Sequence, residues 1–173
     1  MKISELKKSI RDIPDFPKEG IIFKDISTLL KNPKAFKKSI DTLAHHFKKS
    51  RIEYVVAVEA RGFIFGAALA YKLGAGFIPV RKKGKLPYKT KSVTYQLEYG
   101  MDTLEIHEDA IPADARVLVV DDLLATGGTV KAVIELLRLQ HANIVGVAFV
   151  VELQFLKGKD KFKDLSIYSV IQF

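Results

Sequence analysis

Short apolar runs that alternate with helical patterns constrain the fold of this chain more than any other feature. The clearest runs cover residues 54–58, 116–120 and 144–151, and all are rich in valine or isoleucine. Uninterrupted runs of this length are typical of strands that are buried on both faces of a parallel sheet. Helical patterns lie between them, at 62–73 and 129–139. The alternation predicts an α/β fold in which helices flank a parallel β-sheet.

Other segments complete the expected element order. Residues 93–97 and 103–107 alternate with period two, which predicts a half-exposed β-hairpin inserted at the edge or mouth of the sheet. Asn32-Pro33 predicts a helix start, with Asn as N-cap and Pro in the first turn, and that helix should run to about residue 49. The remaining expectations are a helix from about 4 to 11, strands at 77–80 and 165–171, and a strand end near Pro79.

Composition excludes several classes of protein. The 173 residues include 28 Lys+Arg and 20 Asp+Glu, which gives a net charge of +8, and no cysteine. A disulfide scaffold and a thiolate metal site are therefore excluded, and the four histidines show no metal-ligand spacing. No apolar run approaches the ~18–20 residues that cross a bilayer, and residues 1–8 do not resemble a secretory signal. These features predict one soluble, cytoplasmic domain spanning 1–173.

The positive charge is concentrated in one segment. Residues 81–91 carry six cations and no anion, and the segment also contains Gly84 and Pro87, which predict a loop. Such a loop suits a nucleic acid, a membrane surface or a small polyanionic ligand. The cations of 31–51 and 157–163 are interpreted as solvated helix faces and a turn.

Residues 117–129 carry the clearest chemical signal. Four apolar residues are followed by Asp121 and Asp122, and then by Ala-Thr-Gly-Gly-Thr at 125–129 before a helix. Backbone N–H groups of the glycine turn and the helix N-terminus form a cradle for a phosphate group. Carboxylates repel phosphate but accept hydrogen bonds from vicinal hydroxyls, so the run suits a sugar phosphate. The spacing matches neither a Walker A loop nor Gly-x-Gly-x-x-Gly.

This run resembles the phosphoribosyl-pyrophosphate signature of type I phosphoribosyltransferases. Three further segments resemble the adenine phosphoribosyltransferase family: 16–26 (FPKEGIIFKDI), 59–63 (EARGF), and 81–87 (RKKGKLP) with 95–100 (YQLEYG). The resemblance covers about residues 10 to 155. Lys24 departs from the family pattern, which has Arg there; a role through the backbone would make that change mild.

The resemblance implies transfer of a 5-phosphoribosyl group from its pyrophosphate donor to N9 of adenine, giving AMP and pyrophosphate, in purine salvage. It implies an N-terminal hood over about 1–30, a mobile loop over about 82–108, and a homodimer. It also implies Mg²⁺ that is held mainly by the donor's oxygens and water, with no direct protein ligand. Neither a nucleic-acid partner nor a membrane is expected.

The resemblance assigns roles to four groups of residues. The catalytic group is Glu98, Asp121, Asp122 and Arg61. The phosphate and ribose group is Asp121, Asp122, Ala125, Thr126, Gly127, Gly128 and Thr129. The pyrophosphate group is Glu59, Ala60, Arg61, Arg81, Lys82 and Lys85, with a cis peptide bond expected between residues 59 and 60. The adenine group is Ile22, Phe23, Lys24 and Leu123.

Two alternatives remain open at this point. One is a sister transferase for xanthine, hypoxanthine or orotate, because contacts that distinguish bases through the main chain are not visible in side chains. The other is a regulator on the same fold that binds the donor as an effector and recognises nucleic acid. No helix-turn-helix pattern precedes the first core strand, which disfavours the regulator.

We predict that the loop from Lys82 to Tyr99 closes over bound donor. Its like charges repel one another without a ligand, and closure would exclude water from a reactive sugar cation. Cleavage by trypsin after Lys83, Lys85 or Lys89 should therefore slow when donor and Mg²⁺ are added. Equal cleavage rates with and without these ligands would contradict a lid.

Overall fold

The computed structural model describes residues 1–96 and 100–173. Its helices are α1 Ile3–Lys8, α2 Ser27–Lys31, α3 Pro33–Phe47, α4 Arg61–Leu73 and α5 Gly128–Leu139. Its strands are β1 Arg11–Pro14, β2 Ile22–Asp25, β3 Tyr54–Val58, β4 Gly76–Lys82, β5 Thr90–Gln96, β6 Met101–His107, β7 Arg116–Leu124, β8 Asn143–Glu152 and β9 Ile167–Gln172. Two short 3₁₀ turns, Gln154–Leu156 and Gly158–Lys161, lie between β8 and β9.

Seven strands form one sheet in the order β5-β6-β4-β3-β7-β8-β9. The parallel part of the sheet consists of β4, β3, β7, β8 and β9. The strand β6 runs antiparallel to both β4 and β5. The predicted α/β sheet is therefore confirmed, with the hairpin attached at one edge. A separate antiparallel pair, β1 and β2, lies outside this sheet.

Apolar cores on both faces of the sheet explain the uninterrupted apolar runs. Val55 and Leu118 belong to one buried cluster with α3 and α4, while their neighbours Val56 and Val119 belong to a second cluster with α5. Because successive side chains of a strand point to opposite faces, each residue of the central strands meets an apolar layer. This burial fixes the pairing register of β3 and β7, and with it the place where the loops after these two strands meet.

The predicted helix start at Asn32 is confirmed. The Asn32 side chain accepts hydrogen bonds from the backbone N–H groups of Lys34 and Ala35 at 3.0 and 3.2 Å. Gly74 ends α4 with a positive φ of 68°, as expected for a glycine after a helix.

Several predicted boundaries were wrong, among them the start of the hairpin, which lies at Thr90 instead of residue 93. Three of the differences have a clear physical reason. The first helix ends at Lys8 instead of Arg11, because Arg11 begins the ladder with β2 and pairs with Asp25. Pro79 lies inside β4 instead of near its end. It is tolerated there because β6 pairs with β4 only at Arg81 and Lys82, which leaves the strand edge beside Pro79 without that partner.

The third wrong boundary concerns β7, which the sequence pattern ended at Val120. The strand continues to Leu124 because its parallel pairing with β8 continues to Leu124 opposite Glu152. Asp121 and Asp122 therefore lie within a paired strand, which holds their backbone more firmly than a turn would. Among the described residues, none of the helices has the length and apolar character needed to cross a bilayer.

Candidate active site

The paired acids lie where the carboxyl ends of β3 and β7 meet. The Asp122 side chain is only 7% exposed, and its Oδ2 lies 2.8 Å from Nε of Arg61, the first residue of α4. The backbone N–H of Asp122 donates a hydrogen bond to Oδ1 of Asp121 at 2.8 Å. The structure thus brings together Asp121, Asp122 and Arg61, three of the four residues that the resemblance assigns to the catalytic group.

Burial changes the acidity of this pair. It raises the pKa of the Asp121 carboxyl well above its usual range, and the neighbouring Asp122 carboxylate raises it further. Burial also raises the pKa of Asp122, although the Arg61 guanidinium opposes that change. The pair therefore holds a proton to higher pH than exposed aspartates do. A positive charge that develops beside it would favour the ionised form.

Gly62 makes the close approach between α4 and β7 possible. A Cβ atom built at residue 62 would lie 2.8 Å from Oδ1 of Asp121 and 3.5 Å from the carbonyl oxygen of Val120. Any larger side chain would displace the carboxylate. Gly62 thus defines the position of Asp121 without itself offering a functional group.

The phosphate cradle predicted at residues 125–129 forms the turn between β7 and α5. Gly127 has a φ of 81° and precedes the helix that begins at Gly128. A cavity of about 80 Å³ lies here, lined by Asp121 and the residues from 123 to 130. The arrangement places a helix N-terminus and its backbone N–H groups next to the acid pair.

The turn between β8 and β9 supports this cradle from beneath. A Cβ built at Gly158 would lie 2.1 Å from the carbonyl oxygen of Ala125, and one at Gly127 would lie 3.0 Å from that of Gly158. The sequence interpretation of 157–163 as a basic turn was correct but missed this contact. A glycine between two lysines is explained equally well by the turn alone, so the sequence carried no signal for it.

The edge hairpin also contacts the cradle. A Cβ atom built at Gly128, the first residue of α5, would lie 3.8 Å from the carbonyl oxygen of Gln96 in β5. Burial raises the pKa of the Tyr95 phenol in the same strand. The hairpin that the resemblance describes as a lid therefore reaches the cradle in the described structure. Leu97, Glu98 and Tyr99 lie outside the described residues, so the predicted catalytic role of Glu98 stays a prediction.

The predicted pyrophosphate group gathers around Glu59. Its carboxylate accepts a hydrogen bond from the backbone N–H of Lys82 at 2.7 Å and one from the Lys85 ammonium at 2.7 Å, while Arg81 Nε lies 3.4 Å away. Burial alone would raise the pKa of Glu59, but these cationic neighbours and the backbone donor lower it. The Glu59 carboxylate thus holds the side chains of Lys85 and Arg81 close together. The expected cis peptide bond between Glu59 and Ala60 is present.

Lys82 is held differently from its neighbours. Its ammonium pairs with Oδ2 of Asp102 in β6 at 3.1 Å, and this hydrogen bond raises the pKa of Lys82. The basic segment is therefore anchored to the hairpin as well as to the turn after β3.

The predicted adenine group is divided between two sides of the site. The Phe23 ring lies 5.6 Å from the guanidinium carbon of Arg61 and packs edge-on against Phe16, with ring centroids 5.2 Å apart. Leu123 follows the acid pair and packs against the core. Ile22 is 56% exposed. Lys24 turns to Asp12, with its ammonium 2.7 Å from the Asp12 carboxylate.

Two features of the site escaped the sequence interpretation. Glu59 was assigned to the pyrophosphate group, but its contacts with the Lys85 ammonium and the Lys82 backbone were not predicted. Gly62 was noted only as part of EARGF, although a glycine in the first turn of a helix is an unfavourable helix former and so a signal of close approach. Within 1–96 and 100–173, no three His, Asp or Glu side chains cluster closely enough to hold a metal ion.

The fold and the acid pair beside a phosphate cradle define a phosphoribosyltransferase class of protein. Consistent with this, the family model described as "Phosphoribosyl transferase domain" matches residues 25–172.

Comparison with individual proteins narrows the class. Adenine phosphoribosyltransferase of Solidesulfovibrio magneticus is 58% identical over 168 residues, which cover 97% of this chain and 98% of that protein. The solved structure of adenine phosphoribosyltransferase from Thermoanaerobacter pseudethanolicus has a TM-score of 0.96 at 51% identity, covering 99% of this chain and 100% of that one. The Saccharomyces cerevisiae enzyme, solved with an imino-altritol bisphosphate and adenine, has a TM-score of 0.91 at 44% identity, with 97% of each chain covered. This chain belongs to the adenine phosphoribosyltransferase family.

We predict that Gly62→Ala lowers kcat/KM by at least ~10-fold, because the new methyl displaces the Asp121 carboxylate from its position. The melting temperature should change little, since the carboxylate can move and alanine favours a helix. Steady-state kinetics and thermal unfolding measure the two effects.

Gly66→Ala, one turn later in α4, is the matched control. Its Cβ would lie 2.6 Å from the Ala57 Cβ and 3.0 Å from the Phe77 ring, so it should lower the melting temperature through overpacking. At 25 °C its kcat/KM should remain close to that of the wild type. The same activity loss in both variants would show that the Gly62 effect is merely structural.

Proposed function

We propose that this chain transfers the 5-phosphoribosyl group of 5-phosphoribosyl-1-pyrophosphate to N9 of adenine and releases AMP and pyrophosphate. The observation that carries the proposal is the buried Asp121–Asp122 pair directly before the phosphate cradle, with a cation cluster on the neighbouring strand end. These three features match the three parts of the donor, which are its ribose, its 5′-phosphate and its pyrophosphate.

In the proposed reaction, N9 of adenine forms a bond to C1′ of the ribose. The bond from C1′ to the pyrophosphate oxygen breaks, and pyrophosphate leaves with the bonding electrons. The proton lost by the base goes to a carboxylate, for which Glu98 is the proposed acceptor. Positive charge develops on the sugar as the bond breaks, so the site needs negative charge near the ribose and positive charge near the leaving group.

Asp121 and Asp122 are proposed to meet the first need. Their carboxylates accept hydrogen bonds from the ribose hydroxyls and lie beside the developing cation. Burial raises the pKa of both groups, and the Arg61 guanidinium offsets this only in part. A positive sugar then stabilises their ionised form more than it would for a solvated carboxylate.

Arg61, Arg81, Lys82 and Lys85 are proposed to meet the second need. In the free protein they pair with Asp122, Glu59 or Asp102. A pyrophosphate with several negative charges would compete for these cations, so binding exchanges internal ion pairs for ion pairs to the ligand. The three carboxylates partly neutralise these four cations in the free protein, which limits the repulsion that the sequence predicted for the empty loop.

Mg²⁺ fits this site as part of the donor complex. Mg²⁺ typically takes one or two carboxylates with substrate phosphates and water, and the nearby acids here are a pair already engaged by Arg61 and by a backbone N–H. The donor set therefore suits an ion held by the donor's oxygens and water. When bound, the ion would neutralise charge on the leaving pyrophosphate.

We further propose that residues 1–30 act as a hood over the base and that the chain acts as a single phosphoribosyltransferase domain. A homodimer in the cytoplasm, acting in purine salvage, is part of the same proposal. Exposed apolar side chains on α4, Ile64 at 41% and Tyr71 at 90%, support a self-associating face.

We predict that the purified protein makes nucleotide from adenine. The assay incubates protein, donor and Mg²⁺ with adenine, hypoxanthine, guanine, xanthine or orotate in separate reactions and detects nucleotide and pyrophosphate. AMP and pyrophosphate in equal amounts from adenine are expected. Faster turnover of another base would favour a sister transferase, and donor binding without turnover of any base would favour a regulator.

We predict that replacing Asp121 and Asp122 together by Asn lowers kcat at least ~10²-fold, a loss of roughly 3 kcal/mol in transition-state stabilisation. Asparagine keeps the size and hydrogen bonding but removes the negative charge beside the sugar. Steady-state kinetics at saturating donor and adenine give kcat, and circular dichroism checks the fold. Asp114→Asn, at a positive φ of 64° that asparagine tolerates, is the control. Wild-type turnover in the double variant would contradict the assignment.

A further inference from the structure

The ring of Phe173 contacts the ammonium groups of two lysines from the N-terminal part of the chain. The ammonium of Lys24, in β2, lies 4.1 Å from the ring centroid, and that of Lys7, in α1, lies 4.4 Å from it. Lys7 also donates a hydrogen bond to the carbonyl oxygen of Gln172. Both distances lie within the range in which a cation is attracted to an aromatic face.

Lys24 is held unusually firmly for a lysine. Its side chain is only 11% exposed, and its ammonium pairs with Asp12 at 2.7 Å. A largely desolvated ammonium gains more from a ring face than an exposed one does, because water competes less. The Lys24 side chain thus links β2 to Phe173, the residue after β9.

Phe173 is itself tied to the carboxyl end of β8. Its backbone N–H donates to the carbonyl oxygen of Glu152 at 2.9 Å, and its carbonyl oxygen accepts from Gln154 at 2.9 Å. Between them, the N–H of Leu153 donates to the carbonyl oxygen of Leu124 at 2.9 Å. A short chain of contacts therefore joins Lys24 to Leu124, the residue after Leu123.

We propose that Phe173 is a positioning residue for adenine, which sets the spacing between Phe23 on one side of the base and Leu123 on the other. This inference rests on the proposed function and identifies what holds the two sides of its base subsite together. The residue does not touch the base; it acts through Lys24, whose backbone neighbours Phe23.

The link between Lys24 and Phe173 is needed to hold β2 in place, because β1 and β2 form only a two-stranded sheet. Such a pair is marginally stable without further packing. The apolar anchors of this region, Leu6, Ile26 and Leu29, lie in the flanking helices or next to them and are buried in the core. Residues 22–24 lie in β2, and within this strand Lys24 provides the link to Phe173.

The donor subsites meet this link at the backbone of Leu124, which the side-chain changes tested below leave in place. Asp121, Asp122 and the cradle belong to β7 and α5, and the cation cluster surrounds the turn after β3. Loosening β2 should therefore affect the base and leave the donor nearly unaffected, which distinguishes positioning from general destabilisation.

The test compares Phe173→Leu with Phe173→Tyr in the full chain, after wild-type AMP formation has been measured. Leucine keeps apolar volume but removes the ring, whereas tyrosine keeps the ring. For Phe173→Leu, the KM for adenine should rise about five-fold, with the donor KM and kcat within about two-fold of wild type. Phe173→Tyr should behave like wild type. Calorimetric titration with AMP should show the same weakening without turnover.

Two further variants complete the design. Phe155→Leu, at a phenylalanine that is 68% exposed between β8 and β9, should leave both KM values unchanged. Lys24→Met should raise the adenine KM at least as much as Phe173→Leu does, because it also removes the ion pair with Asp12. The double variant should add little to Lys24→Met, because both changes remove the contact between Lys24 and the Phe173 ring. Lys24→Met also carries the test if Phe173→Leu fails to fold.

The outcomes separate this inference from the proposed function. A wild type that makes no AMP would contradict the proposed function itself. A wild type that makes AMP, combined with equal rises in both KM values or with no change in Phe173→Leu and Lys24→Met, would overturn the positioning role alone. Loss of adenine affinity in Phe173→Tyr as well would also overturn it, since the ring is retained there.

Discussion

The structure depends on one contact, in which Arg61 and Gly62 at the start of α4 meet Asp122 and Asp121 in the last part of β7. A buried carboxylate is costly unless a cation or hydrogen-bond donors compensate it. Here Arg61 supplies the cation at 2.8 Å, and Gly62 leaves the space that the second carboxylate occupies. The parallel pairing of β3 with β7 brings these groups to one edge of the sheet.

The same contact explains why a cation is tolerated at the start of α4. Arg61 stands at a helix N-terminus, where a cation opposes the helix dipole. Its partner Asp122 is almost fully buried, so the ion pair compensates the carboxylate that the fold has desolvated. Arg61 also lies over Phe23, and in this way one side chain connects the acid pair to the segment proposed to meet the base.

The sequence predicted those parts of this arrangement that are determined by contacts between residues close together in the chain. The strand runs, the Asn32 cap and the position of the hairpin follow from periodicity and cap chemistry, which are properties of adjacent residues. The extension of β7 to Leu124 depends on pairing with β8, and the packing of Gly158 beneath Ala125 depends on a turn more than thirty residues away. Neither contact leaves a periodic trace. The contacts of Glu59 could not be predicted for a similar reason, since its partners lie in β4 or just after it.

The measurement that tests the account most directly is a crystal structure of the protein with AMP bound. The account predicts the phosphate on the backbone N–H groups of residues 126–129, and both ribose hydroxyls on the carboxylates of Asp121 and Asp122. It also predicts the adenine ring between Phe23 and Leu123. A phosphate bound instead among Arg81, Lys82 and Lys85, with no ribose contact to the acid pair, would contradict it.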